Sequence, residues 1–393
     1  MNLKKVQMKI PMNRYMRVMN SINNKRPIAF RLTAERWEGP KSIRMNKIKS
    51  TISFSTGAAF MMAAVIVTLA SCKKYLPEDR DTVGVDSQFT QTVYEPVLGR
   101  NTLFSGNFFQ GSTSFPSTFK IVNPRKRNGE PAPELTDVFP VKVWKTAYTG
   151  DEKSIAEIEA KREIQNRPLF EVFPHSGQFN MWAEAKANFM KTQPDSCYLF
   201  DVELSNSGGR RYYRDMILKP LKERPYEPSN YDAVSGQTLT NGIRPSRGNI
   251  KGITSNRYLG GFDIDVYIRK RLDDASPSNT LRFMFLDSLY KPMDPALFSS
   301  TDWANLVHGF NMKMTATDVT YDVAYPIPLA AIPTRYTVQG FPGFASVNFT
   351  YPRLGFGGFR DDGLIGLDFA IYEPGDWEIV FAFKTDNPKF TND

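Results

Sequence analysis

"LIGLDFAIYEPGDWEIVFAF", residues 364–383, carries two apolar runs joined at Glu373-Pro374-Gly375-Asp376. A proline presets the φ of a turn's second position and a glycine accepts the positive φ of its third, so the tetrapeptide predicts a tight turn. After it, Trp377, Ile379, Phe381 and Phe383 recur at a period of two, the spacing of a strand face and not of a helix. The stretch predicts a β-hairpin packed into the main core.

The same period recurs upstream. In "FDIDVYIR" (262–269), Phe262, Ile264, Val266 and Ile268 alternate with Asp263, Asp265, Tyr267 and Arg269, which predicts a strand with one buried face. "YLFDVEL" (198–204) and "LRFMFL" (281–286) read likewise. Helical spacing is confined to the first half. "GDEKSIAEIEAKREIQN" (150–166) has acids in its first turn and apolar Ile155 and Ile158, with Ile164 on a neighbouring turn, and predicts an amphipathic surface helix. "MWAEAKANFM" (181–190) is a shorter candidate. The segment from 221 to 249 is rich in Pro, Gly, Ser and Asn and reads as a loop or linker. The expected fold is mainly β, antiparallel and sandwich-like, with a few short helices in the N-terminal half. It divides into a β-rich region over 72–220, the linker over 221–249 and a sandwich-like domain over 250–393.

Near the start, Met45, Lys47 and Lys49 precede the apolar "FMMAAVIVTLA", which ends at Leu69-Ala70-Ser71-Cys72. A positive region, a short apolar region and small residues at a cut site compose a secretory signal peptide, here over 45–71. The order Leu, Ala, Ser, Cys resembles the lipobox of bacterial lipoproteins, in which the cysteine thiol is lipidated and becomes the mature N-terminus. Acyl chains on Cys72 would hold a soluble domain on a bilayer at about 0.8 kcal/mol per buried methylene. An uncleaved span over Ile52–Ala70 is the competing reading, disfavoured because Ser53, Ser55, Thr56 and Gly57 dilute it. Residues 1–44 hold eleven basic and two acidic residues ahead of a complete signal peptide and read as a spurious extension, the alternative being a basic interaction arm.

This placement changes the charge argument. The chain has 50 basic and 41 acidic residues, of which residues 1–71 hold 13 and 2, so 37 and 39 remain, a net charge of −2. The basic excess belongs to the leader, and the footprint of a nucleic-acid binder is missing from the rest.

Cys197 is the one cysteine after Cys72, so an internal disulfide has no second thiol. The two histidines, His175 and His308, stand in no motif that joins them to Cys197, and they are too few for a multi-histidine zinc site. No catalytic residue, metal site or cofactor is expected. "LGFGGFR" (354–360) is glycine-rich but lacks a dinucleotide fingerprint.

Several long strings, among them "YLPEDRDTVGVDSQFTQTVYEPVLGR", "SNSGGRRYYRDM", "RPYEPSNYD", "TDWANLVHGFN", "YDVAYPIPL" and "RLGFGGFRDDGLIGLDFAIYEPGDWEIVF", resemble the lipoproteins of Bacteroidota grouped as domain of unknown function 5007. The resemblance runs from about Cys72 to Asp393. It implies an outer-membrane lipoprotein, a companion of nutrient-uptake systems built on a TonB-dependent transporter and a glycan-capturing partner. Surface-displayed lipoproteins of that phylum often carry acids soon after the cysteine; here Lys73 and Lys74 come first and Glu78, Asp79 and Asp81 follow, which leaves the outward orientation open.

Two classes of function follow. A non-catalytic binding module for glycans or other surface ligands would stack exposed aromatic rings on sugars, and Trp303, Trp182 and Trp144 are the candidates, with Trp377 assigned to the core. A glycan hydrolase or lyase would need two carboxylates across the scissile bond; Asp263 with Asp265, and Asp361, Asp362 and Asp368, are near in sequence without encoding that separation. A structural lipoprotein that contacts other proteins is the third reading.

Overall fold

The computed structural model describes residues 81–194, 197–239, 242–272 and 278–393. The expected signal peptide over 45–71, Cys72 and the 1–44 segment lie outside the described residues. The protein is mainly β, and its strands build two principal cores.

The first core belongs to residues 89–218. The longer strands there are β1 (Thr118–Lys126), β2 (Val138–Trp144), β3 (Arg162–Pro168), β4 (Tyr198–Asn206) and β5 (Gly209–Leu218). A four-stranded sheet runs Val93–Tyr94, β5, β4, β1, and β2 pairs with β3 apart from it. Alternation in β4 buries Tyr198, Phe200, Val202 and Leu204 on the inner face, as its period of two demands. Phe179 is the hub of the packing, 5.4 Å from Phe170, 5.5 Å from Phe200 and 4.8 Å from Tyr94 between ring centres.

The second core is a sandwich. Its longer strands are β6 (Ile264–Lys270), β7 (Thr280–Leu286), β8 (Gly309–Met314), β9 (Asp318–Val323), β10 (Phe341–Tyr351), β11 (Gly363–Ile371) and β12 (Trp377–Phe383). One sheet runs Tyr226–Glu227, β11, β10, Thr337–Val338; the other runs β6, β12, β7, β9, β8. All long pairings are antiparallel except β7 with β12. The sheets meet face to face through Phe349 of β10, whose ring lies 4.9 Å from Phe285 of β7 and 5.3 Å from Phe381 of β12.

The stretch 364–383 therefore does not form a hairpin. β11 and β12 belong to different sheets, and residues 372–376 carry the chain across the sandwich as an arch. The reason is lateral competition. β12 is buried at all seven positions and flanked by β6 and β7, so no edge is free for β11. The turn chemistry is still used: Gly375 has φ of 141°, and the Asp376 carboxylate accepts hydrogen bonds from the backbone and hydroxyl groups of Ser278 and Thr280. Those bonds dock the arch onto β7.

Three further expectations are corrected. The predicted helix over 150–166 shrinks to α1 (Ile155–Ala160), capped by Ser154, whose side chain accepts from the Glu157 amide at 3.1 Å. Beyond it Arg162–Pro168 pairs with β2 and becomes a strand. Over 181–190 single turns replace the helix, because Met181 is already paired in the strand Phe179–Met181. Phe262 lies in a 3-10 turn before β6 and is 81% exposed, while Ile264, Val266 and Ile268 are buried as expected.

Within 221–249, Tyr226–Glu227 and Ser246–Gly248 both pair with β11. A small third cluster of Tyr148, Ile158, Ala324 and Leu329 joins the two cores. No described helix is long and apolar enough to cross a membrane.

Candidate functional site

The outer face of the first sheet carries an open polar groove of about 460 Å³, lined by Val122, Asn123, Arg125, Asp201, Tyr212, Arg214 and Asp215. Its shape comes from two β-bulges. Phe200 pairs with Met216 and Val202 with Tyr213, so Arg214 and Asp215 together oppose Asp201. On the other side Leu199 pairs with Arg125 and Asp201 with Val122, so Asn123 and Pro124 together oppose Phe200. Each bulge places a residue at left-handed backbone, Asn123 with φ of 52° and Asp215 with φ of 57°. Asn and Asp tolerate that conformation best among residues with a side chain. Pro124 lacks an amide proton, which edge strand β1 accommodates.

Asp201 is the floor of the groove. Its carboxylate accepts from Asn123 Nδ2 at 3.1 Å, from both terminal nitrogens of Arg125 at 3.3 Å, and from the Asp215 amide at 2.9 Å. Burial by itself would raise its pKa, but those donors outweigh burial and hold the carboxyl below the usual range. Arg125 also pairs with Asp215. Above this floor stands Tyr212, 45% exposed, its hydroxyl donating to Glu203 Oε2 at 2.8 Å. The ring is thereby fixed in orientation while its face stays open to solvent.

With that geometry defined, a family model described as Domain of unknown function (DUF5007) matches residues 108–392. The chain belongs to this family. No curated protein and no solved structure matches it. The matched span of the family contains every residue of the groove.

The three tryptophans singled out from the sequence pack against different groups. Trp144 carries the Arg162 guanidinium 4.3 Å above its ring and lies 5.5 Å from Tyr148. Trp182 donates Nε1–H to Glu171 at 2.9 Å, and Arg167 sits 5.6 Å from its ring. Trp303 packs on Phe349 at 5.3 Å, and its carbonyl accepts from the Tyr321 hydroxyl at 2.6 Å. All three are half-buried. Cys72 lies outside the described residues.

His308 joins the third cluster. Its Nε2 meets the Glu152 carbonyl at 2.9 Å; since a carbonyl only accepts, Nε2 carries the proton and Nδ1 accepts from the Tyr148 hydroxyl at 2.5 Å. The Tyr336 ring stacks on His308 at 4.8 Å. The cavity beside them holds about 20 Å³, room for one water and not for a sugar. Cys197 is a free, half-buried thiol just before β4.

The acids proposed as pairs each have a cationic partner or face solvent. Asp263 accepts from both terminal nitrogens of Arg257 at 2.8 Å and from Thr385, Asp265 pairs with Arg244 and Lys384, Asp361 with Arg353, and Asp362 with Arg360. Asp368 is exposed. Among the described residues no three His, Cys, Asp or Glu side chains gather to hold a metal ion.

Sequence reasoning missed the groove. The one signal was "GGRRYYR", in which Arg210, Tyr212 and Arg214 alternate onto one face with an aromatic between two arginines.

Proposed function

We propose that this protein is a lipid-anchored, non-catalytic binding protein of the outer membrane, that its ligand is a glycan, and that the groove over Asp201 is the binding site. The carrying observation is Tyr212: an exposed ring, locked by Glu203, beside the planar polar side chains of Asn123, Arg125, Asp201 and Arg214. Sugars present apolar ring faces edged by hydroxyls, and such a platform with polar neighbours complements both.

A binding role is favoured over hydrolysis by the state of the carboxylates. A glycosidase needs one acid kept protonated by a raised pKa. Asp201, the buried acid of the groove, is instead held below the usual carboxylate range by the cation and amides around it. The anchor rests on the lipobox ending at Cys72, and Cys72→Ala should move the protein from the membrane fraction to the soluble one. Retention on membranes would remove the anchor from the proposal.

Glycan-array binding of the purified protein, with product analysis of the same wells, tests the activity. Saturable binding of unaltered glycans that weakens about tenfold in Tyr212→Ala is the expected result, the scale of one aromatic contact. Cleaved glycans, or binding indifferent to Tyr212, would overturn it.

A second reading, assembly with another protein, is favoured by one observation. Phe356 and Phe359 are 92% and 77% exposed on a glycine-rich loop beside a groove of about 730 Å³ lined by Leu354, Arg360 and Phe390. Paired exposed phenylalanines of this kind mark contact surfaces.

A further inference from the structure

We infer that the glycan recognised by the Asp201 groove is acidic, and that Arg214 binds its carboxylate or sulfate group. The inference rests on the glycan reading above and goes beyond it by naming the class of ligand.

After the fold has taken its share of the groove's hydrogen-bonding groups, cationic donors remain unpaired beside Tyr212. The buried acceptor at the floor of the groove is committed, and Asp215, paired through one oxygen, is largely exposed. Asp201 serves Asn123, Arg125 and the Asp215 amide; Asp215 pairs with Arg125; Glu203 accepts from Tyr212 and lies 3.6 Å from Arg210 Nε. The donors are not exhausted. Arg214 is exposed, lines the groove, and makes no hydrogen bond or ion pair among the described residues. Lys120, opposite Glu203 in the register of β1 and β4, is likewise exposed and unpaired among them.

A neutral sugar hydroxyl carries no charge and would leave the Arg214 and Lys120 cations beside Tyr212 without a counter-charge. A carboxylate or sulfate is acceptor-only and matches what remains. A guanidinium offers five N–H donors in a fork that meets two oxygens at once, so Arg214 gives geometry as well as charge. The placement strengthens the match. Arg210, Tyr212 and Arg214 alternate along β5 on its outer face, so a sugar ring lying on Tyr212 has a guanidinium on either side along the strand. Arg210 is drawn toward Glu203, which leaves Arg214 as the free one.

The test is calorimetric binding of the full-length protein at 150 mM salt to four probes: oligogalacturonate for a carboxylate, dextran sulfate for a sulfate, and neutral galactan and dextran as their uncharged counterparts. Binding of one acidic probe at least tenfold tighter than its neutral counterpart is expected, and which one binds distinguishes the two anions. Arg214→Gln should abolish that preference, while Arg360→Gln, a change of the same charge away from the groove, should leave it intact. Equal affinity for neutral and acidic probes, or a preference that survives Arg214→Gln, would overturn the inference while the glycan reading stands. A preference lost equally in Arg360→Gln would mark it as nonspecific charge attraction and also overturn it. Absence of binding to all four probes, and to the wider array, would remove the glycan reading itself.

Discussion

Phe349 of one sheet and Phe381 of the other meet across the sandwich with ring centres 5.3 Å apart at 74°, an edge-to-face contact. Phe349 also touches Phe283, Phe285, Phe298 and Trp303, so five rings converge on it besides its partner's neighbours. Phe349→Ala should cost about 3–5 kcal/mol by removing apolar burial and leaving a cavity that several rigid rings cannot fill. Urea unfolding of the variant checks it. A loss under about 1 kcal/mol would mean that the two sheets are not packed through this ring.

What the sequence could and could not disclose follows from which interactions are local. The β12 strand was legible because Trp377, Ile379, Phe381 and Phe383 repeat at a period that only a strand satisfies. That β11 and β12 part company was not, since a Pro-Gly turn specifies a reversal of direction and says nothing about which strand lies alongside. Ile155 and Ile158 marked the helix α1, but its start is set at the Ser154 cap and not near Gly150, and its end at Ala160 is imposed by β2 drawing Arg162 onward into a ladder, a tertiary preference that overrides local helix tendency. The groove was hidden for the same reason. The bulges opposite Phe200 and Asp201 exist only once three strands are aligned, and no spacing within β4 alone encodes them.

Trp303 and Tyr212 make opposite predictions. Trp303 lies against Phe349 and its turn receives the Tyr321 hydroxyl, so Trp303→Ala should destabilise by about 2–4 kcal/mol and leave ligand affinity of the folded fraction unchanged. Tyr212→Ala removes an exposed ring and should stay within about 0.5 kcal/mol of the parent in stability while weakening binding. Parallel thermal unfolding and binding titrations separate the two. A stable Trp303 variant with weakened binding would return Trp303 to the site.

Glu152 ties the segment after β2 to α1 and to His308. Burial alone would raise its pKa, but the Lys161 ammonium and the amides of Thr149 and Gly150 outweigh it and hold the carboxyl at about 2, against an ordinary value of 4.5. A carboxylate depressed on folding contributes stability that is fully present above its unfolded pKa and lost as pH falls through its folded one. The contribution of Glu152 is therefore whole at neutral pH and should fade between about 4.5 and about 2. Glu152→Gln should be less stable than the parent at pH 7, with the gap closing across that window in urea titrations at stepped pH. A gap that is constant down to pH 2 would show that the carboxylate charge plays no part.

The Phe356 and Phe359 loop gives the assembly reading its own test. Its geometry is fixed from within: the Gly355 amide donates to the Phe359 carbonyl at 2.8 Å, the Gly358 amide to the Gly355 carbonyl at 3.0 Å, and Gly357 and Gly358 take φ of 79° and 75° that side chains resist. Its base is fully buried Arg353, ion-paired with Asp361 and Asp393. Since neither ring supports the core, the double change Phe356→Ser and Phe359→Ser should leave stability within about 0.5 kcal/mol. If the rings contact a partner protein, crosslinking in intact cells should yield a discrete adduct with the parent and lose it with the double variant, while glycan binding persists in both. An adduct pattern unchanged by the two serines would leave the rings without a part in assembly, because about 1.5–3 kcal/mol of apolar burial per ring cannot be removed from a contact without weakening it.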